Sequence, residues 1–202
     1  MSTKIYDEIK NRIASYEDGE IFFTTDFIDI ATLATARKCL GRQTKEENIR
    51  RVMDGMYEKP RYSDVIDAYL PTDPEKVANA IAAKYHWTIS PCGDVALNKL
   101  GLSTQVPAVW SFVSDGPYRK FSLGNTTLSF RHKTNREISL MSPCSIMVIE
   151  ALKTLGKDNV DEKTISILRG KLNDTEKREL LDDAADSSAW IYDAVRKVCA
   201  EG

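Results

Sequence analysis

Asp54-Gly55 lies between two short runs that carry apolar residues, Ile49-Arg50-Arg51-Val52-Met53 before it and Met56-Tyr57-Glu58-Lys59-Pro60 after it. Both residues of the pair tolerate positive φ, so the dipeptide predicts a tight β-hairpin closed by a type I′ turn. A hairpin at this point restricts what the preceding chain can build. Ile5, Ile9, Ile13 and Tyr16 recur at helical spacing and predict a helix over residues 3–16, which Asp18-Gly19 stops. Thr24-Thr25-Asp26 offers an N-cap to a short helix carrying Phe27 and Ile30. Thr32 caps a third helix, about residues 33–46, which Glu46-Glu47-Asn48 ends. Asn48 suits the left-handed backbone common just past a helix end. Helix, short helix, helix, hairpin is the element order of a winged helix-turn-helix.

Beyond the hairpin, residues 61–73 read as a connector, and Asp73-Pro74 opens a helix with proline in its first turn. Trp87-Thr88-Ile89-Ser90 reads as a strand, Pro91-Cys92-Gly93-Asp94 as a turn, and residues 94–100 as a helix. Three strands follow at about 108–113, 118–123 and 126–132, separated by Asp115-Gly116-Pro117 and Gly124-Asn125. After Pro143 the pattern is helical, marked by Ile146, Ile149 and Leu152, by Ile165, Leu168 and Leu172, and by Leu180, Trp190, Ile191, Val195 and Val198. The expected fold is α+β: a winged helix over residues 1–60, then a mixed domain over 61–202 with a small antiparallel sheet and C-terminal helices.

At 202 residues the chain suits one small and one medium module, and no apolar run is long enough to span a membrane. Residues 1–10 are polar and carry Asp7 and Glu8, unlike a secretory signal. Cys39, Cys92, Cys144 and Cys199 are scattered without a CxxC pair, which argues for free thiols in a reducing cytoplasm and against a zinc site. No metal or cofactor is expected.

The net charge of −2 conceals an uneven distribution. Residues 1–31 carry three basic and seven acidic side chains, and residues 32–62 carry eight basic and four acidic. Residues 108–135 carry four basic and one acidic, and residues 140–202 carry nine basic and twelve acidic. A basic segment within an acidic chain is an electrostatic footprint for phosphate, the plain alternative being a solvated charged face. On a wheel of 100° per residue, Leu33, Ala36, Leu40 and Thr44 share one side of the third helix. Thr35, Lys38, Arg42 and Lys45 fall opposite, placed to enter a major groove together. Arg42 can bind guanine in bidentate fashion, and Lys38 and Lys45 suit phosphates. Arg37 falls nearer the buried side. Arg50, Arg51 and Lys59 of the hairpin can follow the DNA backbone beside the groove.

The run from Asp26-Phe27 through Ile49-Arg50-Arg51-Val52, with Gly55-Met56-Tyr57 and Pro60, resembles the N-terminal winged-helix domain of the AbiE-type (type IV) antitoxin family. A second run comprises Ile89-Ser90-Pro91-Cys92-Gly93, Ala96, Asn98, Leu100-Gly101-Leu102-Ser103-Thr104-Gln105-Val106-Pro107 and Asp115-Gly116. It resembles an uncharacterised bacterial family built on the same antitoxin-like plan. The likeness covers about residues 5–140. It implies a bacterial regulator that represses its own operon through the winged helix, while its second domain counters a nucleotidyltransferase-like toxin. The chain departs from the pattern at Gln43, where an apolar residue is usual, at Glu47, where a glycine usually precedes the wing, and at Asp54, where the tip is usually basic.

In the second domain, Arg119, Lys120, Arg131, His132, Lys133 and Arg136 form a basic stripe that suits DNA phosphate or an acidic partner surface, against the alternative of solvated strand faces. Residues 101–107 form either a partner-facing loop or a connector whose Ser103, Thr104 and Gln105 bond their own backbone. The sequence holds no GxSxG, Walker A, HExxH or GxGxxG motif. Cys92 has no evident histidine partner and reads as a packed thiol. Glu150 and Lys153 read as an ordinary i,i+3 helix pair. The expectation is therefore binding without catalysis: a regulator acting on double-stranded operator DNA, or alternatively a protein-interaction module whose winged helix is vestigial.

Overall fold

The computed structural model describes residues 3–134 and 138–200. Arg136 of the expected basic stripe lies outside the described residues. The chain divides into two compact units, Met1–Ile81 and Ala82–Gly202. Sequence reading places this division after residue 60, but two hydrogen bonds from Arg50, to the Leu70 carbonyl (3.0 Å) and the Thr72 hydroxyl (3.2 Å), hold the next segment to the first unit.

The first unit runs α1 (Thr3–Ser15), β1 (Ile21–Phe23), a 3-10 helix (Thr24–Phe27), α2 (Leu33–Lys45), β2 (Arg50–Met53) and β3 (Met56–Glu58). A two-stranded hairpin, β4 (Tyr62–Ser63) and β5 (Ala68–Tyr69), follows. The three-stranded sheet has the order β1-β3-β2 and is antiparallel throughout. Ile9 and Ile13 of α1, Ala36, Cys39 and Leu40 of α2, and Ile49 close over Phe22, Phe27 and Tyr57. The aromatic rings touch, with Tyr16–Phe22 centroids 5.0 Å apart and Phe22–Phe27 5.9 Å apart. Such contacts add to what burial alone contributes. Arg12 ties α1 to the segment before α2, pairing with Asp29 at 2.6 Å and donating to the Asp26 carbonyl at 2.8 Å. That pairing holds the Asp29 carboxyl below its ordinary value.

Two local expectations need correction. The 54–55 turn is not type I′, because Gly55 has φ of 68° while Asp54 stays at negative φ. The ladder instead shifts register between Arg51 and Met53, and this bulge takes up the twist that a second left-handed residue would otherwise supply. Past α2, the left-handed residue is Glu47 (φ 59°) and not Asn48. Asn48 is occupied differently, its side-chain amide donating to Gln43 Oε1 at 3.0 Å.

The second unit starts within α3 (Pro74–Tyr85) and continues through β6 (Ile89–Pro91), α4 (Asp94–Lys99), β7 (Val109–Ser114), β8 (Arg119–Leu123) and β9 (Thr126–His132). Helices α5 (Pro143–Leu155), α6 (Glu162–Lys171), α7 (Asp174–Asp183) and α8 (Ala189–Cys199) complete it. The four-stranded sheet has the order β6-β7-β9-β8. The antiparallel pairing expected for this sheet holds for β6–β7 and β8–β9, whereas β7–β9 is parallel. The cause is the link between β7 and β8, which passes over the position that β9 fills. Gly116 in that link lies against Trp87, and a Cβ there would sit 2.3 Å from the indole ring. Asp115 Oδ1 accepts from the Thr88 amide (2.9 Å), Ser114 Oγ from the Gly116 amide (2.9 Å), and His132 Nδ1 donates to the Gly116 carbonyl (2.9 Å). One face of the sheet is aromatic, with Phe130 stacked on Phe112 at 5.9 Å and met edge-on by Trp87 and Phe121. The C-terminal helices close a separate aliphatic core around Leu152, Leu168, Leu180 and Val195. Among the described residues no helix is long and apolar enough to cross a membrane.

Gly116→Ala should force the indole or the crossover to move, with a loss of about 2 kcal/mol or more in chemical unfolding and a changed tryptophan emission. Glu47→Gly should raise the unfolding midpoint, a net gain of about 0.5–1 kcal/mol once the greater freedom of glycine in the unfolded chain is counted.

Candidate nucleic-acid interface

Helix α2 is amphipathic and well capped. The Thr32 side chain accepts from the Thr35 amide (3.3 Å), and Arg42 and Lys45 lie in the last turn, where cations complement the exposed carbonyls. Its buried side consists of Ala36, Cys39, Leu40 and Gln43. Leu33, expected in the core, is 42% exposed, so the helix is rotated from the expected register. With residues 36, 39, 40 and 43 inward, Ala34, Lys38, Gly41 and Lys45 occupy the middle of the outer face, flanked by Arg37 and Arg42. Arg37, placed nearer the buried side from the sequence, is exposed and flanks this face. The error came from taking Leu33 and Thr44 as inward and leaving Gln43, noted only as a departure from the family pattern, off the buried side.

The seven residues expected to meet DNA divide into three groups. Lys38 and Lys45 are exposed on α2. Arg42 is also exposed, but its guanidinium lies 4.3 Å over the Tyr6 ring and 4.0 Å from Glu46. Thr35 is half-buried, its hydroxyl accepting from the Thr32 hydroxyl at 3.0 Å. On the hairpin, Arg51 is exposed and pairs with Asp54 at 2.6 Å, the Asp54 side chain being 92% exposed. Arg50 and Lys59 turn inward. Arg50 meets the buried Glu58 at 3.2 Å, and Glu58 also accepts from the Thr72 hydroxyl at 2.6 Å. Lys59 donates to the Tyr16 carbonyl at 2.8 Å and the Ala14 carbonyl at 3.2 Å, closing the C-terminal end of α1, and pairs with Asp18 at 3.3 Å.

The outward face of α2 is set by a network that sequence reasoning missed. Gln43 is 1% exposed, and its amide nitrogen donates to the Tyr6 hydroxyl at 2.6 Å. Tyr6 in turn donates to Glu46 Oε2 at 2.7 Å. Desolvation first, and then the Glu46 carboxylate, push the Tyr6 phenol above its ordinary value. The only sequence signal was Gln43 itself, a polar residue at a position where the helix period requires an inward side chain.

The second unit divides its expected basic stripe. Strand registers pair Lys120 with Ser129 and Val113 with Arg131 on one face, and Arg119 with Phe130 on the other. Lys133 is half-buried and lies 3.7 Å from Glu150. Glu150 also pairs with Lys153 at 2.9 Å. Burial pushes the Cys92 thiol up to about 11, which disfavours the thiolate that a nucleophile needs.

The arrangement leaves a convex basic helix face with a hairpin beside it. The chain belongs to a family of unknown function, DUF6088. The family model matches residues 8–180, which runs from within α1 to β5 of the first unit and takes in most of the second. No curated protein matches the chain.

The inward arginine and the outward one should respond differently to mutation. Arg50→Ala leaves the Glu58 carboxylate buried without its cation and should cost about 3 kcal/mol in urea unfolding. Arg51→Ala, in an exposed pair, should change stability by less than about 0.5 kcal/mol.

Proposed function

We propose that the first unit is a winged helix-turn-helix that binds double-stranded DNA, with α2 as the recognition helix and β2–β3 as the wing. The single observation that carries this reading is the outer face of α2, where Lys38 and Lys45 stand exposed in the middle with Arg37 and Arg42 on either side. The element order and the β1-β3-β2 sheet support it. Ala34 and Gly41 between the cations leave the helix backbone free to approach a groove closely. In this reading Lys38, Lys45 and Arg37 meet phosphates, while Arg42 reaches a base edge from its place over Tyr6. Arg51 adds a backbone contact from the wing. The wider role is that of a bacterial, cytoplasmic regulator of the type IV antitoxin kind, acting on its own operator and countering a nucleotidyltransferase-like toxin. Its support is the sequence resemblance noted above.

A second reading, a protein-interaction module with weak DNA binding, draws on one specific feature. Asp54 at the wing tip presents a carboxylate that repels phosphate, and Arg50 and Lys59 are half-buried and already paired with Glu58 and Asp18.

The two readings separate in a titration of the full chain against duplex DNA from upstream of its own coding sequence. The first predicts retardation of that DNA and a salt slope of log K against log [salt] near −4, for roughly four to five phosphates neutralised. Lys38→Glu with Arg42→Glu should abolish retardation while leaving the circular dichroism spectrum unchanged. Unchanged binding by that variant overturns the reading, and an Asp54→Lys variant that gains affinity places the wing against the duplex.

A further inference from the structure

The sheet of the second unit has two unlike faces. Opposite the aromatic face, alternation places small hydroxyl residues where β-branched apolar ones would pack better, with Ser111 of β7 in register with Ser129 of β9, and Ser129 in register with Lys120 of β8. Both serines are nearly buried, at 5% and 3% exposure, and form the floor of a cleft of about 550 Å³. Cations reach this cleft from three different elements: Lys120 from β8, Arg131 from β9 and Lys153 from α5.

The charges in the cleft are not balanced. Glu150 is the half-buried acid of the group and is already held by Lys153 at 2.9 Å and Lys133 at 3.7 Å. Asp94 lies at the edge where α4 begins. Lys120 and Arg131 have no carboxylate partner among the described residues. Lys120 instead lies 5.8 Å from the ring of Tyr118, which is 60% exposed at the rim. Convergent cations over a hydroxyl floor suit a phosphate group: the two cations supply charge-assisted donors and the serines supply neutral ones. An exposed aromatic ring next to that position suits the face of a base. The volume falls within the usual range for small-ligand sites.

We propose that this cleft binds a phosphorylated ligand of nucleotide size, with the phosphate on Lys120, Arg131 and the Ser111 and Ser129 hydroxyls and the base against Tyr118. Lys153, at the rim, closes over the phosphate from the helix side, and Glu150 keeps it oriented. The site is built within the second unit alone and does not depend on DNA binding.

Calorimetry on the full chain at low salt tests the proposal with AMP, GMP, CMP, UMP, adenosine and inorganic phosphate as separate titrants. At least one mononucleotide should bind, inorganic phosphate should bind more weakly, and adenosine should not bind measurably. Lys120→Ala with Arg131→Ala, both exposed positions, should weaken the nucleotide at least tenfold. Tyr118→Ala should weaken the nucleotide severalfold and leave inorganic phosphate unaffected. As an optical readout, Lys120 now holds the Tyr118 phenol below its ordinary value, so a bound phosphate should move the 295 nm tyrosinate transition to higher pH. The Arg42→Glu variant should bind the nucleotide as the unaltered chain does, which keeps this outcome separate from the DNA reading. Absence of any nucleotide binding, binding that survives the double substitution, or a single-stranded oligonucleotide that binds at the same residues far more tightly than a mononucleotide would overturn the proposal.

Discussion

Gln43 occupies an inward position on α2 with 1% of its surface exposed, and its amide is satisfied on both sides by Tyr6 and Asn48. A buried amide without partners costs a few kcal/mol, so the helix is held at the rotation that keeps both bonds. An apolar side chain at the same position would be attracted to the core equally well over a range of rotations. The hydrogen bonds are directional, and they join α2 to α1 at one angle. The Arg42 guanidinium rests on the tyrosine of this same network, 4.3 Å above the ring. The outward display of charge on α2 therefore depends on a polar contact inside the unit.

The same economy governs the other cations of the first unit. Its basic side chains are used in two ways. Arg12, Arg50 and Lys59 stitch elements together through Asp29, Glu58 and the carbonyls at the end of α1. Lys38, Lys45 and Arg37 remain on the surface. Local charge counts treat the two kinds alike. Arg12 and Lys59 are taken up by Asp29 and Asp18 of the acidic first thirty residues and Arg50 by Glu58, whereas the cations of the α2 face stay exposed.

Most helices were legible in the sequence because their start signals and apolar periods agree, as at Thr32 for α2 and at Pro143 for α5. The strands β7 to β9 were legible for a similar reason, since Asp115-Gly116 and Gly124-Asn125 punctuate them. The β1 strand was missed because Ile21-Phe22-Phe23 is too short to display alternation. The β4–β5 hairpin was missed because two-residue strands leave no pattern, and its Val65 is 94% exposed. The parallel pairing was hidden because strand direction depends on which neighbour fills a gap, a long-range fact that no local window holds. At the candidate interface, the exposed positions 38, 42 and 45 were found from the helix period alone. Arg50 and Lys59 were misjudged because their partners, Glu58, Thr72 and the end of α1, are brought near only by folding. Lys153 was not joined to the strand cations because helix and sheet meet there across a long stretch of chain.

The crossover at Gly116 has a consequence for how the second unit assembles. Strand β9 comes last in the chain among the four strands and yet lies between β7 and β8 in the sheet. Until residues 126–132 exist and are in place, β7 and β8 face each other across an empty lane and cannot pair directly. During synthesis, then, the aromatic side of β7 and the edges of both strands stay open while the rest of the sheet is being made, a state in which intermolecular pairing competes with folding. The bonds at Asp115, Ser114 and His132 that hold the link down are in part supplied by β9 itself, so the lane and the strand that fills it close together or not at all.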